Sequence, residues 1–237
     1  MAKKEDLRLS RAGTIINVTS RVQESVLGQA LTRVVARVIK DFDVKLAHDR
    51  RWLLRDLVRD LSRDFPDVDF YTPGDRSFIS PDGGILTLVD EQGRKHIILI
   101  TEVKNQGTND LRSAEGKKPQ AKGNAIERLG KNVIGFRAAM LREAIMPFVC
   151  FGYGIDFEDG SSILDRVATI AMFGDLNRIH LMNQGDNKQF NRGSFLFRRD
   201  AWTESEMEEI MYEVASRSVY YYFAKYGVDT FQQAGRS

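Results

Sequence analysis

At 237 residues and 42% hydrophobic content, the chain holds enough apolar material for one large α/β domain or two small ones, with no need of covalent staples. Its single cysteine excludes an intramolecular disulfide and a Cys-rich zinc site, and three histidines are too few to suggest a His-based metal site. A formal net charge of +2 says little by itself about nucleic acid, and no stretch approaches the roughly 18 to 20 apolar residues of a membrane span.

The opening MAKKEDLRLS lacks the apolar middle of a signal peptide, so a soluble, cytoplasmic protein is expected. Residues 1–20 are mostly polar and basic without sustained apolar periodicity, and are expected to form a flexible N-terminal arm. From Glu24 to Phe42 apolar residues recur at helical spacing (Val26, Leu27, Ala30, Leu31, Val34, Val35, Val38, Ile39), and a second amphipathic helix is expected from about Arg51 to Leu61, closed off by Pro66. Three strand-like runs follow, Val68 to Tyr71, Gly84 to Val89 and His96 to Val103, the last two joined by a turn at Asp90-Glu91-Gln92-Gly93. Asn105 to Gly123 is polar and Gly-containing, a loop longer than compact domains keep without a use for it.

A helix is expected from Asn124 toward Ala144, weakened but not excluded by Gly130 and Gly135. Met146 to Tyr153 and Val167 to Phe173 read as strands that bracket the acidic loop Asp156 to Asp159, and Glu204 to Tyr226 as a closing helix. Cys150, in the apolar run PFVCF, is expected to be a buried thiol; His48 and His96 are expected at the surface and His180 on a strand or loop. The run Val219-Tyr220-Tyr221-Tyr222-Phe223 reads as a core helix, with a share in a subunit interface as the alternative. The expected fold is a single α/β domain over residues 1–237, a central mixed sheet of five or more strands flanked by helices.

Charge is unevenly placed. Lys117 to Arg142 carries seven basic residues against the single acid Glu127, whereas Thr203 to Glu213 carries five glutamates and no base, so one region suits phosphates and the other does not. Asp82, in Ser80-Pro81-Asp82-Gly83-Gly84, stands at the entrance to one expected strand, and Glu102-Val103-Lys104 at the end of the next. Alternation along a strand points Glu102 and Lys104 to one face, and a hairpin can bring Asp82 beside them. Phosphodiester hydrolysis needs such a group: Asp82, Glu102 and the Val103 carbonyl as hard oxygen ligands for Mg²⁺, and Lys104 to position the attacking water. Taken residue by residue the bland readings stay open, since PDGG makes a good turn in any protein and Glu-x-Lys a good surface ion pair. Likewise Asn124 and Glu127 form a capping box, yet Asn124, Glu127 and Arg128 also gather base-reading groups at a helix N-terminus.

Taken together, SPDGG, ITEVKNQG and KGNAIERLGKN resemble the EcoRI-type restriction endonucleases, a branch of the PD-(D/E)xK nuclease superfamily. The resemblance is strongest from about Ser80 to Asn132 and weaker through PFVCF, ILDRVATIAMFG and WTESEMEEIMYEVASRSV; GNAIER is its most specific part. It implies a restriction endonuclease-like fold, Asp82 and Glu102 as metal ligands with Val103, and Lys104 as the catalytic lysine. It also implies that Asn124, Ala125, Glu127 and Arg128 lie at the inner adenines of an AATT core, with Lys117, Lys118 and Lys122 near phosphates. Arg166 matches an arginine that contacts an outer guanine, which favours GAATTC, although Gln120-Ala121-Lys122 departs from the family's Met-Ala-Ala. The resemblance further implies a Mg²⁺-dependent homodimer, with Mn²⁺ as substitute, that cuts double-stranded DNA before the first A of AATT to leave 5′ overhangs. A cognate DNA methyltransferase would accompany it in a prokaryotic host. The rivals are a PD-(D/E)xK nuclease of DNA repair or branched DNA, and a non-catalytic DNA-binding module.

Overall fold

A computed structural model describes residues 15–105, 116, 124–154, 157, 162–171, 175–183 and 190–235. Its elements run α1 (Ile15–Phe42), β1 (Leu46–Asp49), β2 (Trp52–Leu53), α2 (Leu54–Asp64), β3 (Phe78–Ile79), β4 (Gly84–Val89), β5 (Lys95–Asn105), α3 (Asn124–Ala139), β6 (Phe148–Tyr153), α4 (Ser162–Ile170), β7 (Ser194–Arg198) and α5 (Glu204–Tyr226), then a 3₁₀ turn at Val228–Thr230. Five strands form one mixed sheet in the order β1-β4-β5-β6-β7, and β2 pairs with β3 separately. The pairs β1–β4 and β4–β5 are antiparallel, while β5–β6 and β6–β7 are parallel. This is an α/β fold with a central mixed sheet flanked by helices, of the restriction endonuclease-like kind.

Both faces of the sheet are covered, which explains why GILTLV, HIILI and FVCFGY are nearly continuous apolar runs rather than alternating ones. On one face, α1 presents Leu27, Ala30, Leu31, Val34 and Val38 at helical spacing, all buried, and α5 presents Met207, Met211, Val214 and Val219. Charge zips these two helices together at their rim: Arg37 Nη1 lies 2.9 Å from Glu208 and 2.6 Å from Glu209, and Arg33 Nε 2.7 Å from Glu204. The glutamate-rich segment therefore faces arginines of α1. Helix α3 covers the other face, its Phe136 ring stacked 5.7 Å from Phe148 of β6.

Several expectations need correction. The first helix begins at Ile15, so residues 15–20 are helix rather than arm; a helix already nucleated extends at little further cost, even through a weakly periodic stretch. Residues 1–14 lie outside the described residues. The second helix begins at Leu54 because Trp52 and Leu53 are taken by pairing with Ile79 and Phe78. Val68 to Tyr71 is not a strand: no strand pairs with it, and Tyr71 is 85% exposed. Of the expected strand Val167 to Phe173, Val167 to Ile170 belong to α4 instead and Ala171 is a bend, while Met172 and Phe173 lie outside the described residues. Ile163 and Val167, four apart and both buried, give that segment a helical stripe that outweighs the β-branched composition. His96 is half-buried: its Nε2 lies 3.1 Å from Oδ2 of the fully buried Asp90, and its ring packs edge-on against Tyr222 and Phe231.

Other readings hold. β4 spans Gly84–Val89 and α5 spans Glu204–Tyr226 as the patterning predicts, and Cys150 is fully buried. Tyr222 is buried in the core face of α5, whereas Tyr220 is 64% exposed. His180 sits in irregular chain. Apart from Asn105, Gly116 and Phe157, the loops Asn105–Gly123 and Asp156–Asp159 lie outside the described residues. No helix among the described residues is long and apolar enough to cross a membrane.

Candidate active site

The segment Ser80–Gly84 is a turn pinned on two sides. Within it the Gly84 amide donates to the Pro81 carbonyl at 3.1 Å; outward, the Gly83 amide donates to Thr101 of β5 at 3.0 Å, and His48 Nε2 of β1 lies 2.8 Å from the Gly83 carbonyl. Both glycines are required by space. A Cβ on Gly83 would collide with Thr101 Oγ1, and one on Gly84, where φ is +80°, would sit 2.8 Å from the Asp49 carbonyl. The turn thereby delivers Asp82 beside the end of β5.

There the two strands exchange contacts. The Val103 amide donates to Asp82 Oδ2 at 3.1 Å, and the Asp82 amide donates to Glu102 Oε2 at 3.1 Å. Lys104 Nζ lies 3.0 Å from Asp82 Oδ2 and 3.2 Å from the Val103 carbonyl, and pairs with Glu102 Oε1 as well. Strand alternation sets the faces: Thr101 points toward Leu27 of α1, so Glu102 and Lys104 share a face and meet α3, whose Asn132 Nδ2 donates to Glu102 Oε1 at 3.4 Å. Glu102 is 2% exposed, while Asp82 keeps 27% of its side chain open. An open cleft of about 700 Å³ adjoins Asp82, lined also by Glu24, Thr32, His48, Arg50 and Ser80.

Burial pushes the Glu102 carboxyl above its ordinary range, with Asp82 adding to the effect and Lys104 opposing it. Burial alone would lower Lys104, but the Glu102 and Asp82 carboxylates outweigh it, and the ammonium is held above its usual value. Beneath them, burial raises the Cys150 thiol well above its normal range, so it stays an inert neutral wall. Two carboxylates against one ammonium leave one negative charge in excess, and the Val103 carbonyl supplies a third hard oxygen. Among the described residues no group of three or more His, Cys, Asp or Glu forms a metal cage. The donor set of Asp82, Glu102 and the Val103 carbonyl suits Mg²⁺, which is ordinarily held by one or two carboxylates together with water and substrate phosphate.

A family model described as restriction endonuclease EcoRI matches residues 11–163, which include Asp82, Glu102, Lys104 and the GNAIER segment. The chain belongs to the EcoRI restriction endonuclease family. Among curated relatives of that family, the type II restriction enzyme RsrI of Cereibacter sphaeroides is 31% identical over 175 residues, covering 60% of this chain and 63% of the relative. The type II restriction enzyme EcoRI of Escherichia coli is 28% identical over 178 residues, covering 60% of this chain and 64% of the relative. The matched part thus spans under two thirds of the length of either relative.

Of the residues the sequence puts forward, Asp82, Glu102, Val103 and Lys104 converge at one point. Asn124 to Arg128 form the first turn of α3, with Glu127 and Arg128 exposed; the side chains of Asn124 and Ala125 lie outside the described set, as do Lys117, Lys118 and Lys122. Arg166 is exposed on α4, which packs against α3 where Ile170 approaches Gly130, and it falls beyond the family match. Two site neighbours escape the sequence reading. Asn132 lies eight residues, hence about two helical turns, beyond Asn124, a spacing that could have flagged it. His48 gives no local signal, because it meets the PDGG turn only once β1 has paired with β4.

Proposed function

We propose that this chain is a Mg²⁺-dependent type II restriction endonuclease that acts as a homodimer on double-stranded DNA, hydrolysing phosphodiester bonds at a palindrome containing AATT. One observation carries the reading: Asp82, Glu102 and Lys104 stand within hydrogen-bonding distance of one another, and Asp82 also lines an open cleft. Asp82, Glu102 and the Val103 carbonyl would hold the ion, and Mn²⁺ would substitute for it. When bound, the ion would neutralise charge growing on the scissile phosphate and acidify a water. Lys104, kept protonated by the two carboxylates, donates to the phosphate or to the attacking water as negative charge develops. Glu102, nearly inaccessible, is held among the described residues by donors from Asp82, Lys104 and Asn132, which keep its oxygens in one orientation.

Sequence choice is assigned to the start of α3. Asn124 can pair with the N6/N7 edge of adenine, with Ala125 close by, Glu127 bracing and Arg128 donating to purine acceptors, while Lys117, Lys118 and Lys122 face phosphates. With Arg166 on an outer guanine the site is GAATTC, cut before the first A on each strand to leave 5′ AATT ends. A palindrome with one cut per strand calls for a two-fold symmetric dimer, each subunit supplying one site and half the readout. The enzyme would work in a prokaryotic cytoplasm as a single restriction endonuclease-like domain, alongside a cognate DNA methyltransferase. Digestion of a sequenced plasmid with and without Mg²⁺, followed by sequencing of the ends, tests this. Defined fragments with 5′ AATT ends, formed only with the metal, are expected; activity confined to branched or damaged DNA, or none, would reject it.

A further inference from the structure

We infer that Asn132 is a positioning residue, through which the docking of helix α3 on DNA is transmitted to the orientation of Glu102. The inference rests on the nuclease reading above and adds a residue to it. Glu102 is 2% exposed, so its carboxylate oxygens depend on protein donors for orientation. Among the described residues three reach it: the Asp82 amide at Oε2, Lys104 Nζ at Oε1, and Asn132 Nδ2 at Oε1 at 3.4 Å. The first two come from the turn before β4 and from β5, which together build the site, and move with it. Asn132 alone among these donors comes from α3, the helix whose first turn carries Asn124, Glu127 and Arg128.

The spacing makes α3 a rigid lever. Asn124, Arg128 and Asn132 stand at i, i+4 and i+8, one stripe of a single helix about 12 Å long from first to last. The body of the helix is seated by Phe136 against Phe148 and by close approach of Gly135 to Ile79. The Asn132 bond is at the long end of the hydrogen-bond range, so a small advance or roll of α3 strengthens or breaks it. A duplex that fits the first turn seats the helix and tightens the hold on Glu102; one that does not leaves Oε1 to Lys104 alone. DNA can then be bound without being cut.

The test is Asn132→Leu, which keeps the volume and removes the donor, beside Asn132→Gln, which restores one, each compared with wild type in three measurements. Asn132→Leu is expected to lower kcat on the cognate duplex by roughly 10- to 100-fold, the range for loss of a group that orients a metal ligand, with duplex affinity and melting temperature unchanged. It is also expected to weaken Mn²⁺ binding to the free protein, followed by water proton relaxation, while Asn132→Gln recovers part of both. Equal kcat and equal Mn²⁺ binding in Asn132→Leu and wild type would overturn the inference, as would a loss confined to duplex affinity. Should wild-type protein cut no DNA, the nuclease reading fails by itself, and the relaxation measurement still judges the contact: a Mn²⁺ affinity unmoved by Asn132→Leu rejects it.

Discussion

Glu102 and Asp82 divide one site between a buried end and an open one, and the division predicts how each responds to substitution. Under the proposed function, removing either carboxylate would take away a ligand for a cation worth several kcal/mol of transition-state stabilisation, so Asp82→Ala and Glu102→Ala are each expected to slow cleavage by about a thousandfold or more. DNA affinity should survive both, since phosphate contacts elsewhere supply most of it. Single-turnover cleavage beside equilibrium duplex binding checks this, and a wild-type rate from either variant would reject the assignment. At the other end of α3, Asn124→Ala should lower the preference for a cognate over a scrambled duplex, by about 1–3 kcal/mol per lost bidentate pair. An unchanged ratio of the two dissociation constants would sink that role.

Helix α5 shows what one element needs in order to hold its place. Thr203 caps it: its hydroxyl accepts from the Glu206 amide at 3.3 Å, while the Glu206 carboxylate takes the Thr203 amide at 2.9 Å, the reciprocal arrangement of a capping box. Arg198 of β7 then grips Glu206 with two nitrogens at 2.8 and 2.7 Å and stacks 3.8 Å over Trp202, tying the helix start to the sheet. The Arg198 bonds, with the Thr203 amide next, draw Glu206 down to about 2 from its ordinary 4.5. A carboxyl lowered on folding contributes stability that is fully present above its unfolded pKa, so this contribution is whole above about pH 4.5 and is lost as the pH falls toward 2. The melting-temperature gap between wild type and Glu206→Gln should therefore narrow below pH 4.5 and close near pH 2; a gap independent of pH would contradict it. Thr203→Ala, by loss of the cap, should cost about 1 kcal/mol in denaturant unfolding.

At the scale of the whole molecule, the sheet lies between two helical layers, and Phe148 joins its parallel half to α3. It is fully buried, paired to Ile100, stacked with Phe136 and 5.7 Å from Phe195. Phe148→Ala should destabilise the fold by about 3–5 kcal/mol and loosen the seat of α3, so urea unfolding and cleavage should suffer together. The proposed two-fold assembly predicts two chains on each palindromic duplex in sedimentation equilibrium. One chain per duplex, with nicking of a single strand, would remove the dimer from the account.

Local chemistry made the strands of the candidate site legible: PDGG and Glu-x-Lys adjoin or sit on segments whose apolar runs declare themselves as strands, and strand alternation alone puts Glu102 and Lys104 on one face. Long helices such as α5 were equally plain, because a stripe that repeats over 23 residues leaves little ambiguity. Short elements were not. β1 and β7 are four and five residues long and exist because β4 and β6 offer them open edges, which no window of sequence contains. The same holds for His48 beneath the PDGG turn and Asn132 at Glu102: separated from their partners by 35 and 30 residues, they became neighbours only through pairing and packing. Residue type, spacing and strand order thus determined which groups are candidates for the chemistry, whereas the non-local contacts that burial enforces decided which others hold them in place.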